Sequence, residues 1–445
     1  HLQAGSIYNP AKNTLPVAMA EKLLAYAKQG LPIVIVGPLP SRTPGNTPGD
    51  DAKLKALLTD LQSQKTVHSV ATEKEVPAFL KSIGILPGVE PEKPSTLMSM
   101  RRFDPASATN YYFLYNQGDD QIPPPGYSTD ERYKNLQGTP GNIFEEPKTM
   151  RSKGANYGTK IGTALAQKIS LEGAGQPFIF NAWSGEIHPI AQYQRRGNRV
   201  IVQVRLDVDE SMLIGISANP AQLGLSSNAQ FVQSTTAEGV HALGNGKFAV
   251  YASQAGKYTS TFNNGKKVIS QIPASLAKMD LTGGTWQLSV EDWKPANPYG
   301  STGVASAATD KTKVNLSLSG LKAWPDIAEL KNASGLGTYT YVLDLPQDWN
   351  SAKQGARLAL GQVVDTFTLT VNGTPVPIDQ ISAETDLGNT LKPGKNTIEI
   401  RVATTLNNRL VALNKAAADR GIIQEYGLVG PVVLQPYSKA IISIK

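Results

Sequence analysis

Two hydrophobic periods divide this chain. Over residues 13–30 the apolar positions Val17, Ala20, Leu24 and Ala27 recur at helical spacing. Asn13 or Thr14 can cap that segment, Pro16 suits its first turn and Gly30 stops it. The run from Leu31 to Gly37 is short and continuously apolar, as a buried parallel strand is. Residues 50–62 predict a second helix on Leu54, Leu57, Leu58 and Leu61. Residues 67–70 predict a strand, 73–83 a third helix, and 97–102 and 111–116 two more strands. Helix alternating with strand predicts a Rossmann-like α/β domain over residues 1–125.

The period then becomes that of strands. Residues 126–157, rich in Pro, Gly, Asp and Asn, predict a long loop. Strand-like runs at 158–170, 176–181, 187–194, 199–208 and 211–217 predict a β-sandwich region over 158–275. Turns such as Arg196-Gly197-Asn198 and Asn264-Gly265-Lys266 punctuate it. A new unit begins near Met279, with a first strand at 284–290 and a loop at 297–312. Its later strands, at 337–346, 358–371 and 394–402, alternate with tight turns such as Asn372-Gly373 and Pro393-Gly394-Lys395. Residues 276–445 therefore predict a jelly-roll sandwich, and the whole chain a multidomain α/β plus all-β protein.

Composition narrows the class. At 445 residues with 40% hydrophobic content, the chain can hold two to four cored domains. Forty glycines and 30 prolines fit a turn-rich, mostly β chain. The net charge of +7 is scattered, and Arg101-Arg102, Arg195-Arg196 and Lys266-Lys267 carry no interleaved aromatics. That pattern is a solvated basic surface, better suited to an acidic polysaccharide than to nucleic acid. No apolar run is long enough to span a membrane. Cysteine is absent, which removes disulfides and thiolate metal sites. Sequons at Asn315, Asn332 and Asn372 predict a glycosylated, secreted, extracellular protein. The start at His1-Leu2-Gln3 reads as a processed chain or a fragment.

Most enzyme chemistries lack their motif. The four histidines His1, His68, His188 and His241 are dispersed, so no His-rich metal site is expected. There is no Gly-x-Ser-x-Gly elbow, no phosphate loop and no dinucleotide fingerprint. No cofactor is required. Glycoside hydrolysis needs two carboxylates flanking a sugar, which spacing alone cannot reveal. Glu145, Glu146 and Glu186 read as surface carboxylates. Asp119 and Asp120 are more suggestive, because they follow the apolar strand that ends at Asn116, and ligands gather beyond strand carboxyl ends. Among aromatic residues, Trp183 and Trp286 sit in strand-like context and read as core. Trp324 and Trp349 sit beside Pro or Asn in turns, where stacking on sugar is more credible. The candidate sugar contacts are thus Asn116, Asp119, Asp120, Trp324 and Trp349.

The order of parts carries a resemblance. A Leu31–Pro38 strand leads to Tyr111–Gly118, then to Pro177-Phe178-Ile179-Phe180-Asn181-Ala182-Trp183-Ser184-Gly185-Glu186-Ile187-His188. Val371-Asn372-Gly373, Leu391–Asn396, Asn408-Arg409-Leu410 and Gly427-Leu428-Val429-Gly430-Pro431 follow. This order resembles the C-terminal half of glycoside hydrolase family 106 α-L-rhamnosidases of fungal secreted type, over nearly the whole chain. The resemblance implies a galactose-binding-like terminal sandwich. It also implies inverting exo-hydrolysis of terminal α-L-rhamnose from polysaccharide. The catalytic carboxylates would stand on a (β/α)₈ barrel outside this chain, so no catalytic residue is carried over. The implied partners are that barrel and a rhamnose-containing glycan. The sequence departs from the resemblance at 413–425, where a helix-like insertion precedes the closing strand. Structural calcium is common in such sandwiches, but no spacing here places its oxygen ligands. Two other readings stand beside this one: a carbohydrate-binding protein without turnover, and a set of purely structural packing domains.

Overall fold

The computed structural model describes residues 14–45, 47–118, 151–152, 164–227, 229–295, 309–414, 418 and 423–444. They form two compact units, residues 1–87 and 88–445.

In the first unit the helical stripe does what its spacing predicts. Helices Val17–Lys28 and Asp50–Gln62 bury Ala20, Leu24 and Ala27 against Leu54, Leu58 and Leu61. Asp50 and Asp51 occupy the first turn of the second helix, where the helix dipole favours negative charge. Asp51 Oδ1 also accepts the Thr43 backbone N–H at 2.7 Å. Strands Ile33–Val36 and Val67–Val70 pair in parallel across this helix. Helix Val76–Ser82 follows, and the unit ends at residue 87.

The α/β domain expected to reach residue 125 therefore stops at 87, and the reason is local. Strands Leu97–Asp104 and Thr109–Asn116 are joined by only four residues, which permits antiparallel pairing alone. Asp104 closes that turn by accepting Ala106 N–H at 3.0 Å and the Ser107 hydroxyl at 2.5 Å. The hairpin joins a five-stranded sheet with Ser211–Ser217, Gln176–Phe180 and Ile187–Pro189. A four-stranded sheet of Val89–Pro91, Leu165–Glu172, Arg199–Leu206 and Gln194–Arg195 faces it. Alternate residues of both sheets, among them Tyr112, Leu114, Ile169, Val202 and Ile214, make a first sandwich core.

Two further sandwiches share one sheet. Strands Gly239–Gly244, Lys247–Ala252, Val433–Ser443, Gln354–Ala359 and Glu384–Asp386 run side by side in that order, and Met279–Asp280 adds a sixth. The C-terminal strand is the stitch. Its residues 438–443 pair with 247–252, and its residues 433–438 pair with 354–359. One end buries Ile442 with Phe248, Val250, Phe262 and Ile272 beneath a three-stranded sheet (232–235, 256–262 and 267–272). The other end buries Leu434 and Leu358 with Trp286, Tyr339 and Ile398 under the six-stranded jelly-roll sheet. The expected division at 275/276 is thus crossed by the last strand. Residues 309–312, expected in a loop, open the strand Thr309–Ser319.

Candidate ligand-binding cleft

The outer face of the shared sheet gathers a cluster of polar and charged side chains. Along each strand the residues that alternate with the core point there: His241, Tyr251, Tyr437, Lys439, Arg357 and Asp386. Tyr251 pairs directly with Lys439, and Arg357 with Asp386. The two tyrosine rings lie flat across glycines. A Cβ on Gly239 would stand 2.1 Å from Tyr251 Oη, and one on Gly355 would stand 2.4 Å from Tyr437 Oη. Side chains at either position would lift the rings.

The groups hold one another. Tyr437 donates to Asp386 at 2.8 Å, and Gly388 N–H donates to the same Oδ1 at 2.8 Å. His241 stacks on Tyr251 with ring centroids 4.7 Å apart, and its Nε2 lies 4.0 Å from Asp386 Oδ2. Arg357 sits 5.0 Å above the Tyr251 ring and 3.9 Å from Glu238. Lys439 donates to Ser351 O at 2.9 Å and to Asn389 Oδ1 at 3.0 Å.

The first sandwich approaches this face at His188, whose charge acts on His241, and at Glu210, whose charge acts with those of Asp379 and Glu384. His188 is near enough to His241 for their charges to oppose each other. Desolvation is the larger cause holding His241 below the ordinary histidine value, with Arg357, Lys439 and His188 adding to it and Asp386 opposing it. Burial pushes Glu210 up, and the neighbouring Asp379, Asp207 and Glu384 push it further. Burial and Asp386 drive the Tyr437 phenol far above its usual value, so it stays a donor. Glu186 pairs with His188 at 3.1 Å, and Trp183 in the same turn is 46% exposed. Donors and acceptors of both signs against ring edges suit a ligand rich in hydroxyl groups. No group of three or more His, Asp or Glu able to hold a metal ion occurs among the described residues.

The residues expected from sequence fall elsewhere. Asn116 is fully buried and ties loops together: its Oδ1 accepts Thr96 Oγ1 at 2.7 Å and its Nδ2 donates to Leu206 O at 3.2 Å. Asp119, Asp120, Glu145 and Glu146 lie outside the described residues, as does most of the insertion at 413–425. Trp324 is 0% exposed and donates to Tyr339 Oη at 2.8 Å. Trp349 is 4% exposed and donates to Leu391 O at 3.3 Å. Both plug the jelly-roll core, so neither offers a face to sugar. Tight turns hold both in place: Asp326 N–H donates to Ala323 O at 2.9 Å, and Trp349 N–H to Pro346 O at 3.0 Å. Trp286 is core as expected, whereas Trp183 is exposed, because the 181–186 turn interrupts its strand. Asn315 and Asn332 are exposed. The Asn372 amide is spent on Thr390 O and Asn396 Oδ1, at 3.1 and 2.9 Å. The cleft escaped sequence reading because its residues come from five strands, and only the period-two alternation hinted at their common face.

No family profile matches the chain, and no curated protein matches it. Among solved structures, the rhamnosidase from Novosphingobium sp. PP1Y aligns over 96% of this chain with a TM-score of 0.54 and 18% identity. A GH2 β-galacturonidase from Eisenbergiella tayi aligns over 36% of this chain and 24% of its own, with a TM-score of 0.24 and 14% identity. A Faecalibacterium prausnitzii β-glucuronidase aligns over 37% and 32%, with a TM-score of 0.23 and 18% identity. This chain spans 32% of the length of that rhamnosidase. Its fold is one found in glycoside hydrolases.

Proposed function

We propose that this chain is the non-catalytic part of a secreted, exo-acting α-L-rhamnosidase of the family 106 kind. In this reading the whole enzyme removes terminal α-L-rhamnose from a polysaccharide with inversion. The general acid and general base stand on a barrel outside these residues and act through a water. The cleft between the first sandwich and the shared sheet receives the glycan beyond the cleaved sugar. One observation carries the reading: the fold follows a rhamnosidase along nearly its whole length while spanning only a third of that enzyme. The polar cleft also favours a second reading, a carbohydrate-binding protein without turnover.

The test is the native mass of the protein as isolated, with denaturing mass spectrometry of its chains. Hydrolysis of an aryl α-L-rhamnoside then follows, with the first product anomer read by NMR. A barrel-sized polypeptide joined to these residues and a β-configured first product are expected. A lone chain that binds glycan without hydrolysing the rhamnoside would leave the second reading. A barrel-bearing protein inert towards rhamnosides would sink the first.

A further inference from the structure

A second concavity lies where the first and middle sandwiches meet, apart from the cleft. It is bounded by the start of strand Gln176–Phe180, by Arg195, by the loop that follows Ser217, by Phe231 and Gln233, and by Asn263. Its volume is about 510 Å³, within the ~300–1,000 Å³ of small-molecule sites. The backbone there is fixed by cross-links between the sandwiches: Tyr193 N–H donates to Val232 O at 3.0 Å, and Val232 N–H to Ala191 O at 2.9 Å. Asn263 fixes the far wall, accepting Phe231 N–H at 3.2 Å and donating to Ala229 O at 3.1 Å.

The lining has a marked chemical bias. Arg195 is its one charged residue; no Asp, Glu, Lys or His lines it among the described residues. Arg195 donates from Nη2 to Gly175 O at 2.9 Å, which holds the guanidinium in place. It rests 5.7 and 5.5 Å from the rings of Tyr193 and Phe231, themselves stacked at 3.9 Å. The guanidinium also acts on the Tyr193 hydroxyl beside it, and no carboxylate lies among the residues that line the pocket. The side chains of Gln233 and Ser227 line the pocket with it, the latter exposed. A guanidinium held by Gly175 O with no carboxylate beside it, next to the side chains of Gln233 and Ser227, is matched by a ligand with one carboxylate and several hydroxyls. A neutral sugar would leave the cation unanswered, and a polyanion would bring more charge than one arginine can meet.

We infer that this pocket binds a uronic acid residue, its carboxylate on Arg195 and its ring hydroxyls on Gln233 and Ser227. The pocket would let the protein hold an acidic glycan at a point separate from the cleft. The inference stands whether or not the rhamnosidase reading does, since it concerns binding alone.

The test uses the full chain and sodium D-glucuronate, with methyl α-L-rhamnoside as neutral control, in saturation-transfer NMR and calorimetry. Glucuronate is expected to bind, more weakly as salt screens the pair. Arg195→Ala should weaken it about tenfold or more. Arg195→Lys should restore part, keeping the charge but not the fork. Ser227→Trp, at an exposed loop position, should block the pocket while leaving the thermal midpoint unchanged. Equal binding of the rhamnoside would overturn the acidic class. Glucuronate binding untouched by both Arg195→Ala and Ser227→Trp would overturn the location, and absence of binding at millimolar glucuronate would overturn the site.

Discussion

Arg409 directs one guanidinium nitrogen at both oxygens of Asp292, at 2.5 and 2.6 Å, with only 16% and 12% of the two side chains exposed. Ser334 N–H also reaches Asp292 Oδ1 at 3.2 Å, and the Arg409 backbone N–H reaches Ser334 Oγ at 3.3 Å. The pair therefore pins the helix Asn407–Leu413 to the jelly-roll sheet at the strand that carries Asp292. Next to it, Asn408 clasps the Gln424 backbone twice, at 2.8 Å each way. Removing one partner leaves the other charge buried and alone. Arg409→Ala should therefore cost about 3–5 kcal/mol. Replacing both by apolar residues of similar volume should cost clearly less, as urea denaturation of the single and double variants would show.

The Asn408-Arg409-Leu410 run was legible as a motif, but its work was not, because Asp292 lies 117 residues away. The same limit explains most of what sequence reading missed. Local period gave helices 17–28 and 50–62 and strands such as 176–180, 199–206 and 394–403, since each is set by residues that neighbour it in sequence. Pairing partners are not so set. Strands 97–104 and 109–116 look equally apolar in a parallel or an antiparallel sheet, and only the four-residue turn decides. The return of Val433–Ser443 to the middle sandwich has no local signal at all. Trp324 was misplaced because a proline beside it marks a turn without telling whether the turn caps a core.

Burial of that indole makes a sharp expectation. Trp324→Ala should destabilise the chain by about 3–5 kcal/mol, since Gly337 and Gly427 have given up their side chains to make room for the ring. Trp349→Ala should fall in the same range. Trp183→Ala, on the exposed turn, should stay within about 0.5 kcal/mol of the parent. Denaturant midpoints would separate the two classes. A large loss at Trp183 would show that its turn is packed rather than free to meet a ligand.

His241 makes the cleft sensitive to acid. Its folded-state pKa lies below the unfolded value near 6.5, so the unfolded chain binds the proton more readily. Stability from this group is complete above that value and declines as pH falls through it towards the lower folded value. Glu210 acts with the opposite sign. Its pKa is raised in the fold, so its contribution is present near and below 4.5 and is lost as pH rises through the folded value. His241→Gln should flatten the slope of stability below about pH 6.5 and leave the slope above pH 7 unchanged. Urea titrations at a series of pH values read both. An unchanged acid slope would mean that His241 is not desolvated in the fold.

The C-terminal strand offers the cleanest contrast between neighbours. Ile442 is 7% exposed and closes the middle sandwich against Phe248 and Val250, whereas Ile441 is 60% exposed on the opposite face. One residue of register separates a core position from a surface one. Ile442→Asp places a carboxylate among apolar side chains with no partner, and should cost several kcal/mol. Ile441→Asp should cost no more than about 0.5 kcal/mol. The damage from Ile442→Asp should also be uneven. Amide exchange is expected to speed up first in strands 247–252 and 267–272, while 394–403 in the jelly-roll sheet stays protected. Uniform loss of protection in both regions would mean that the shared strand joins the two sandwiches into one cooperative unit.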